Sequence, residues 1–130
     1  MKKSFENVRF FRCSHCGNII TLVQDNGVPV MCCGQKMEEL IPGTSDGAHE
    51  KHVPAVNMEG DVVTAKIGSV EHPMLDVHYI QWICLVTDKG VHFRSLLPGE
   101  APEAVFTVPG EKPVAVYEYC NLHGLWKTEL

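Results

Sequence analysis

The sequence predicts an all-β protein: a small metal-stapled β domain followed by an immunoglobulin-like β-sandwich. Three observations carry this expectation. Short runs rich in Val, Ile, Phe and Tyr recur along the chain, separated by Pro, Gly, Asn and Asp. Four of the six Cys fall within the first forty residues. No segment shows an apolar period of 3.6 long enough to suggest a helix.

Residues 1–40 are expected to form the first domain. Its β-type runs are Val8–Arg12, Ile19–Gln24 and Val28–Met31. Asp25-Asn26-Gly27 predicts a hairpin turn between the last two, because Asn-Gly tolerates positive φ at both central positions. About 40 residues cannot bury enough surface to fold unaided, so the Cys cluster is expected to be a staple as well as a site. Residues 41–48, with Pro42-Gly43-Thr44-Ser45-Asp46-Gly47, are expected as a linker. Residues 49–130 give candidate strands Val53–Asn57, Val62–Val70, Leu75–Thr87, Val91–Leu97, Ala104–Val108 and Pro113–Tyr119. Asp88-Lys89-Gly90 joins two of them as a tight hairpin. About seven short strands at this spacing suggest the sandwich.

Eleven Lys+Arg against sixteen Asp+Glu give a net charge of −5, which argues against a nucleic-acid partner. No apolar run approaches the length of a membrane span. The opening Met-Lys-Lys-Ser-Phe-Glu-Asn lacks the apolar stretch of a secretory signal, so a cytoplasmic protein is expected. In a reducing compartment, clustered Cys points to metal or redox chemistry rather than disulfides.

Cys13-x-x-Cys16 and Cys32-Cys33, fifteen residues apart, can converge as four thiolates on one metal. A tetrahedral four-sulfur site suits zinc and iron alike. Adjacent ligands should distort the tetrahedron, which favours iron; a purely structural zinc staple is the alternative. Such a centre is closed and anionic, so it can pass an electron but should repel an anionic substrate. His15 is expected to be exposed. The second domain carries Glu50-Lys51-His52-Val53-Pro54, Glu71-His72-Pro73, His78 and Cys120-Asn121-Leu122-His123. Alternation along Leu75–Thr87 puts His78 on one apolar face with Ile80, Trp82 and Cys84. A lone core His is usually only hydrogen-bonded, but three more His and a C-x-x-H shift the balance towards a metal site.

The C-x-x-C…C-C pattern resembles the desulforedoxin-type iron module. E-K-H-x-P, E-H-P-M…H-x-I-x-W and C-N-x-H-G-x-W resemble the superoxide reductase domain. Together they resemble the desulfoferrodoxin family of two-iron superoxide reductases, over nearly the whole chain. The resemblance implies two iron ions per chain. Cys13, Cys16, Cys32 and Cys33 would hold the first. His52, His72, His78 and His123 would be equatorial ligands of the second, with Cys120 the axial thiolate and Glu50 and Lys51 beside the open position. His15, His49, His92 and Cys84 match no ligand position, and Cys84 reads as a small core residue.

The implied reaction is one-electron reduction of superoxide to hydrogen peroxide. Four neutral imidazoles and one thiolate leave iron cationic, which suits an anionic substrate. The axial thiolate should stabilise the ferric state and favour reduction over dismutation. Backbone N–H groups around Asn121–His123 are expected to bond the sulfur. Lys51 would steer superoxide, and Glu50 would close the sixth position on ferric iron. A rubredoxin-type electron donor and a homodimer are further implications, and a bound calcium ion is left open. The rivals are a simple electron carrier and a zinc-stapled binding module.

Overall fold

The structure is a computed structural model that describes residues 7–45 and 47–130. The expectations placed on residues 1–6 and on Asp46 lie outside the described residues. The chain divides after Ile41 into two compact units.

The first unit contains β1 (Phe10–Arg12), β2 (Ile19–Thr21), β3 (Met31–Cys32), β4 (Gln35–Lys36) and β5 (Glu38–Leu40). The three-stranded sheet has the order β2-β1-β5, antiparallel throughout, and β3 and β4 form a separate hairpin. Among the described residues its buried apolar side chains are Phe10, Cys13 and Met37, too few for a self-sufficient core. Arg9 ties the Asp25 turn to β5, with a two-pronged contact to Glu39 at 3.0 and 2.9 Å and one to Asp25 at 3.0 Å. The expected hairpin across Asp25-Asn26-Gly27 does not form. The turn is present, with Gly27 at φ +76° and its N–H on Asp25 Oδ1 at 2.9 Å. However, β2 pairs with β1 and β3 with β4, so the runs on either side of this turn do not pair with each other.

The second unit contains α1 (His49–His52), β6 (Pro54–Glu59), β7 (Val62–Ile67), β8 (Ile80–Thr87), β9 (Val91–Ser95), β10 (Glu103–Thr107), β11 (Pro113–Cys120) and β12 (Gly124–Glu129). One sheet runs β10-β7-β6 and the other β12-β11-β8-β9. This three-plus-four arrangement of antiparallel strands is the immunoglobulin-like sandwich the strand spacing suggests. Its core draws Val63, Ala65 and Ile67 from β7, Ile80, Ile83 and Leu85 from β8, Phe106 from β10 and Val116 and Cys120 from β11. The Asp88-Lys89-Gly90 hairpin forms, with Thr87 N–H donating to Gly90 O at 2.9 Å.

Five details depart from the sequence reading. A single helical turn, α1, precedes the first expected strand of this unit, where no helix was expected; four residues are too few to leave a periodic signal. β12 is not among the candidate strands, since Gly124-Leu-Trp-Lys-Thr-Glu alternates only weakly. β8 begins at Ile80, so His78 lies in the preceding loop and not on the strand. An irregularity opposite Tyr119 and Cys120 also changes the face within β8. Ile80, Ile83 and Leu85 reach the core, while Trp82 stacks on Tyr119 at 5.8 Å. Residues 42–48, expected as a linker, fall in the second unit: Gly43 N–H donates to Leu125 O at 2.9 Å, and Ser45 Oγ donates to His123 O. Turn-forming composition does not reveal whether a loop docks.

Candidate metal centres

In the first unit the two Cys pairs meet through two different local devices. Cys13 and Cys16 sit on a tight loop closed by Gly17 N–H to Cys13 O and Cys13 N–H to Asn18 O, both at 2.9 Å. Cys33 and Gly34 are the two loop residues of the β3–β4 hairpin, at φ +52° and +72°. A two-residue hairpin of this kind demands positive φ at both positions. The turn therefore lets adjacent cysteines point to one centre, at the cost of placing Cys33 in the left-handed region.

All four Sγ atoms lie within 4.8 Å of one another. Cys16 Sγ and Cys32 Sγ are 3.6 Å apart, far beyond a disulfide. This is close to the roughly 3.8 Å edge of a tetrahedron with metal–sulfur bonds of about 2.3 Å. Cys16 N–H donates to Cys13 Sγ at 3.5 Å, and this and neighbouring bonds pull the Cys13 thiol down to about 6. Cys33 moves the other way, up to about 12, chiefly because its contact with Cys16 and partial desolvation favour the thiol, with the neighbouring Cys13 and Cys32 adding to this. A cation among the four removes that conflict, so the donor set fits a thiolate-bound metal. His15 is exposed and outside the cluster.

In the second unit the strand registers bring three chain segments to one end of the sandwich. Pro54 pairs with Ile67, and Ile80 with Cys120. The turn before β6, the loop between β7 and β8, and the loop between β11 and β12 therefore share that end. They carry His52, then His72 and His78, then His123, with Cys120 closing β11.

The four imidazoles form a closed ring. Centroid separations are 4.6 Å for His52–His72, 4.8 Å for His72–His78, 5.0 Å for His78–His123 and 4.8 Å for His123–His52. Neighbouring planes are inclined by 62°, 81°, 74° and 70°. The ligand-type atoms of His52, His72, Cys120 and His123 all lie within 4.8 Å of one another. His52 Nε2 and His123 Nδ1 are 3.1 Å apart. Two nitrogens about 2.1 Å from one ion, at right angles, would be separated by about 3.0 Å.

The inward nitrogens of His72 and His78 lack partners. His72 Nδ1 donates to Pro73 O at 2.7 Å, which leaves Nε2 as the bare lone pair. That Nε2 and His78 Nε2 are both buried without a hydrogen bond. Burial, first, and the neighbouring imidazoles hold His52 and His72 down at about 4, so both rings are neutral at physiological pH. His78 is lowered for the same reason. Burial pushes the Cys120 thiol up, opposed by the N–H groups of Leu122 and His123. Neutral imidazoles with orphaned, convergent lone pairs over a buried sulfur fit a metal ion and are costly without one.

Several supporting residues were not singled out in the sequence. Trp126 stacks on His52 at 5.0 Å and 12°, meets His49 edge-on at 5.1 Å, and donates Nε1–H to His123 O at 3.0 Å. His49 and His52 meet the same indole because they are three residues apart on α1. Gly47 lies so close that a Cβ would come within 2.8–2.9 Å of His123 and His52. Glu118 is fully buried, its carboxyl pushed well up by burial, and its Oε1 lies 3.9 Å from His52 Nδ1. Alternation along Val116-Tyr117-Glu118-Tyr119-Cys120 signals that carboxylate, since it shares the core face with Val116 and Cys120.

Glu50 and Lys51 are exposed on α1. Lys51 and His72 line a cleft of about 660 Å³ with Glu71, Met74 and Glu100; Glu50 is not among its lining residues. His92 is bound to Glu111 at 3.0 Å, away from the ring, and Cys84 is buried with its thiol pushed up to about 12.

A family model described as desulfoferrodoxin matches residues 44–129. The chain is 48% identical over 120 residues to the desulfoferrodoxin of Nitratidesulfovibrio vulgaris, covering 92% of this chain and 94% of that one. It is 43% identical to a desulfoferrodoxin homolog of Archaeoglobus fulgidus, covering 95% and 98%. Among solved structures, the superoxide reductase of Treponema pallidum superposes with a TM-score of 0.80 at 36% identity, over 95% of this chain and 100% of that one. With that identity spread over almost its full length, the chain belongs to the desulfoferrodoxin family.

Proposed function

We propose that the chain is a superoxide reductase that converts superoxide to hydrogen peroxide by one-electron reduction. His52, His72, His78, His123 and Cys120 would hold the reactive iron. Cys13, Cys16, Cys32 and Cys33 would hold a second iron as an electron-transfer centre. The closed ring of four imidazoles, three of them grouped with the Cys120 thiol within 4.8 Å, carries this reading. Its likeness to the Treponema pallidum superoxide reductase points the same way. Iron held by these residues would supply one-electron chemistry, with two protons needed to take superoxide to hydrogen peroxide.

The chain's own residues do the rest. Lys51 places a positive charge at the cleft that His72 also lines, in a protein whose net charge is −5. Glu71 and Glu100 line the same cleft, so attraction for a small anion would have to come from Lys51 itself and from the metal-bearing ring. The N–H groups of Leu122 and His123 favour the ionised form of Cys120 and moderate its electron donation. Glu118 Oε1 lies 3.9 Å from His52 Nδ1, too far for a hydrogen bond here, and is the buried carboxyl that would orient the ring with Nε2 inward once the two close up. Glu50, next to Lys51, is the anion available to occupy the open side after product leaves.

The reading extends to a rubredoxin-type donor, a homodimer and a cytoplasmic setting. Exposure of Cys16 and Cys33 supports electron entry at the first centre. The small first unit would gain from pairing, and six reduced thiols suit a reducing compartment.

Rapid mixing of the reduced protein with superoxide tests the proposal. The wild type should oxidise at the imidazole-ringed centre with second-order kinetics. His78→Ala should lose that reaction while keeping the visible spectrum of the tetrathiolate centre. Undiminished superoxide consumption by His78→Ala would contradict it, and a colourless, zinc-loaded protein would favour the binding-module rival.

A further inference from the structure

His78 and Cys120 sit on different loops, and the segment carrying His78 has little regular structure. Between β7 and β8 the chain runs from Gly68 to Tyr79 with only a bridge between Leu75 and His78. Leu75 N–H donates to His78 O at 2.9 Å, and His78 N–H returns to Leu75 O at 3.1 Å. Gly99 N–H donates to Met74 O at 2.8 Å. These bonds shape the segment and tie it to the β9–β10 connection, but they do not fix it against the β11–β12 hairpin.

Three hydrogen bonds do, and Asn121 makes all three. Tyr79 N–H donates to Asn121 Oδ1 at 2.9 Å, Asn121 Nδ2 donates to Val77 O at 3.0 Å, and Asn121 N–H donates to Tyr79 O at 3.3 Å. The side chain thus grips the residues on either side of His78, while its own backbone follows directly on Cys120. We propose that Asn121 is a positioning residue: its amide sets the His78 imidazole against the Cys120 thiol before any metal binds. This rests on the reading that the two belong to one metal centre.

The chemistry of the amide explains why Asn stands here. One rigid fork carries an acceptor for Tyr79 N–H and a donor for the Val77 carbonyl. Aspartate would keep the first bond and set two acceptors against each other at the second. Alanine would keep neither, and the 3.3 Å backbone contact, the longest of the three, would remain alone. Loss of a group that orients a metal ligand typically costs ten- to a hundredfold in metal affinity.

The test uses the full chain. In the metal-free wild type, hydrogen exchange at the Tyr79 amide should be as slow as at the interior amides of β8. Exchange as fast as in an exposed loop, slowing only when iron is added, would overturn the proposal, and this arm needs no variant. In Asn121→Ala, competition with a chelator should show at least a tenfold loss of iron affinity at the imidazole-ringed centre. Its thiolate-to-iron absorption band should shift while the band of the tetrathiolate centre stays in place, and Asn121→Asp should fall between Ala and wild type. Wild-type affinity and an unshifted band in Asn121→Ala would overturn the proposal, even if that variant melts at a lower temperature. A wild-type chain that takes up no iron at this centre would overturn the underlying reading, and the proposal with it, in an arm separate from the exchange measurement.

Discussion

Glu118 Oε1 lies 3.9 Å from Nδ1 of His52, and both atoms are buried with no hydrogen-bond partner. Two orphans side by side in a core are costly separately and useful together. A carboxyl partner at Nδ1 orients the imidazole and raises its basicity at Nε2. Glu118→Ala should therefore weaken iron retention at this centre by about 10- to 100-fold. Glu118→Gln, with similar shape, should lose less. Chelator competition read at the charge-transfer band checks the order, and equal retention in all three proteins would remove the partnership.

Three of the imidazoles and Glu118 set the pH response of the metal-free protein. Burial holds His52 and His72 at about 4, against 6.5 for an exposed imidazole, and lowers His78. Unfolding therefore takes up protons as pH falls from about 6.5 towards 4, so acidification destabilises the fold. Glu118 acts in the opposite sense: burial raises its carboxyl, so the folded state holds that proton more readily than the unfolded chain. Three imidazoles outweigh one carboxyl, so stability should fall as pH falls through that window, and Glu118→Gln, which removes the opposing group, should steepen the fall. Both Trp, 82 and 126, lie in the second unit, so urea melts followed by tryptophan fluorescence report on it alone. Stability that rises on acidification would contradict the assignment.

Lys51 faces the cleft beside His72. Lys51→Ala should slow association with superoxide by an order of magnitude or more at low salt and flatten the dependence on ionic strength. Stopped-flow rates across a salt series measure both. An unchanged low-salt rate would make Lys51 an ordinary solvated lysine.

Glu50 is exposed on the same helical turn and does not line the cleft. Its proposed part comes after reduction, so Glu50→Ala should alter the resting ferric spectrum and leave the ferrous rate with superoxide nearly unchanged. A ferric spectrum identical to wild type would remove that role.

The first unit depends on its metal. Among the described residues, Phe10, Cys13 and Met37 are its buried apolar side chains, and its strands are two or three residues long. Removing the metal from the tetrathiolate site should abolish amide protection in β1, β2 and β5 while the interior of β8 stays protected. Hydrogen exchange on the metal-depleted chain checks it, and persistent protection in β1 would show a fold that stands unaided.

Much of this was legible in the sequence because metal chemistry leaves a sharp local imprint. Cys13-x-x-Cys16 and Cys32-Cys33 declare a cluster without knowledge of the strands, and the structure brings those sulfurs together. The imidazoles were legible as a set and not by position: alternation put His78 on β8, whereas it sits in a loop. The irregularity opposite Tyr119 and Cys120 also reversed the expected face of Trp82. A one-residue shift in register is invisible to a period-two pattern and moves every later side chain to the other face. Segment 42–48 was illegible for a different reason. Gly and Ser predict a turn, but only the packed structure supplies the His123 and Leu125 carbonyls that hold it. Glu118 was readable from its alternation with Val116 and Cys120; its importance comes from His52, which stands far earlier in the sequence.

Stoichiometry tests the central claim most directly. Purified protein with its iron content determined should be given an external reductant and a known quantity of superoxide, with peroxide and dioxygen both measured. The account predicts about two iron ions per chain, one peroxide formed per superoxide consumed, and one electron drawn from the reductant each time. One peroxide per two superoxide with dioxygen released would mean dismutation. No peroxide above the uncatalysed background would mean that the imidazole ring serves some other chemistry.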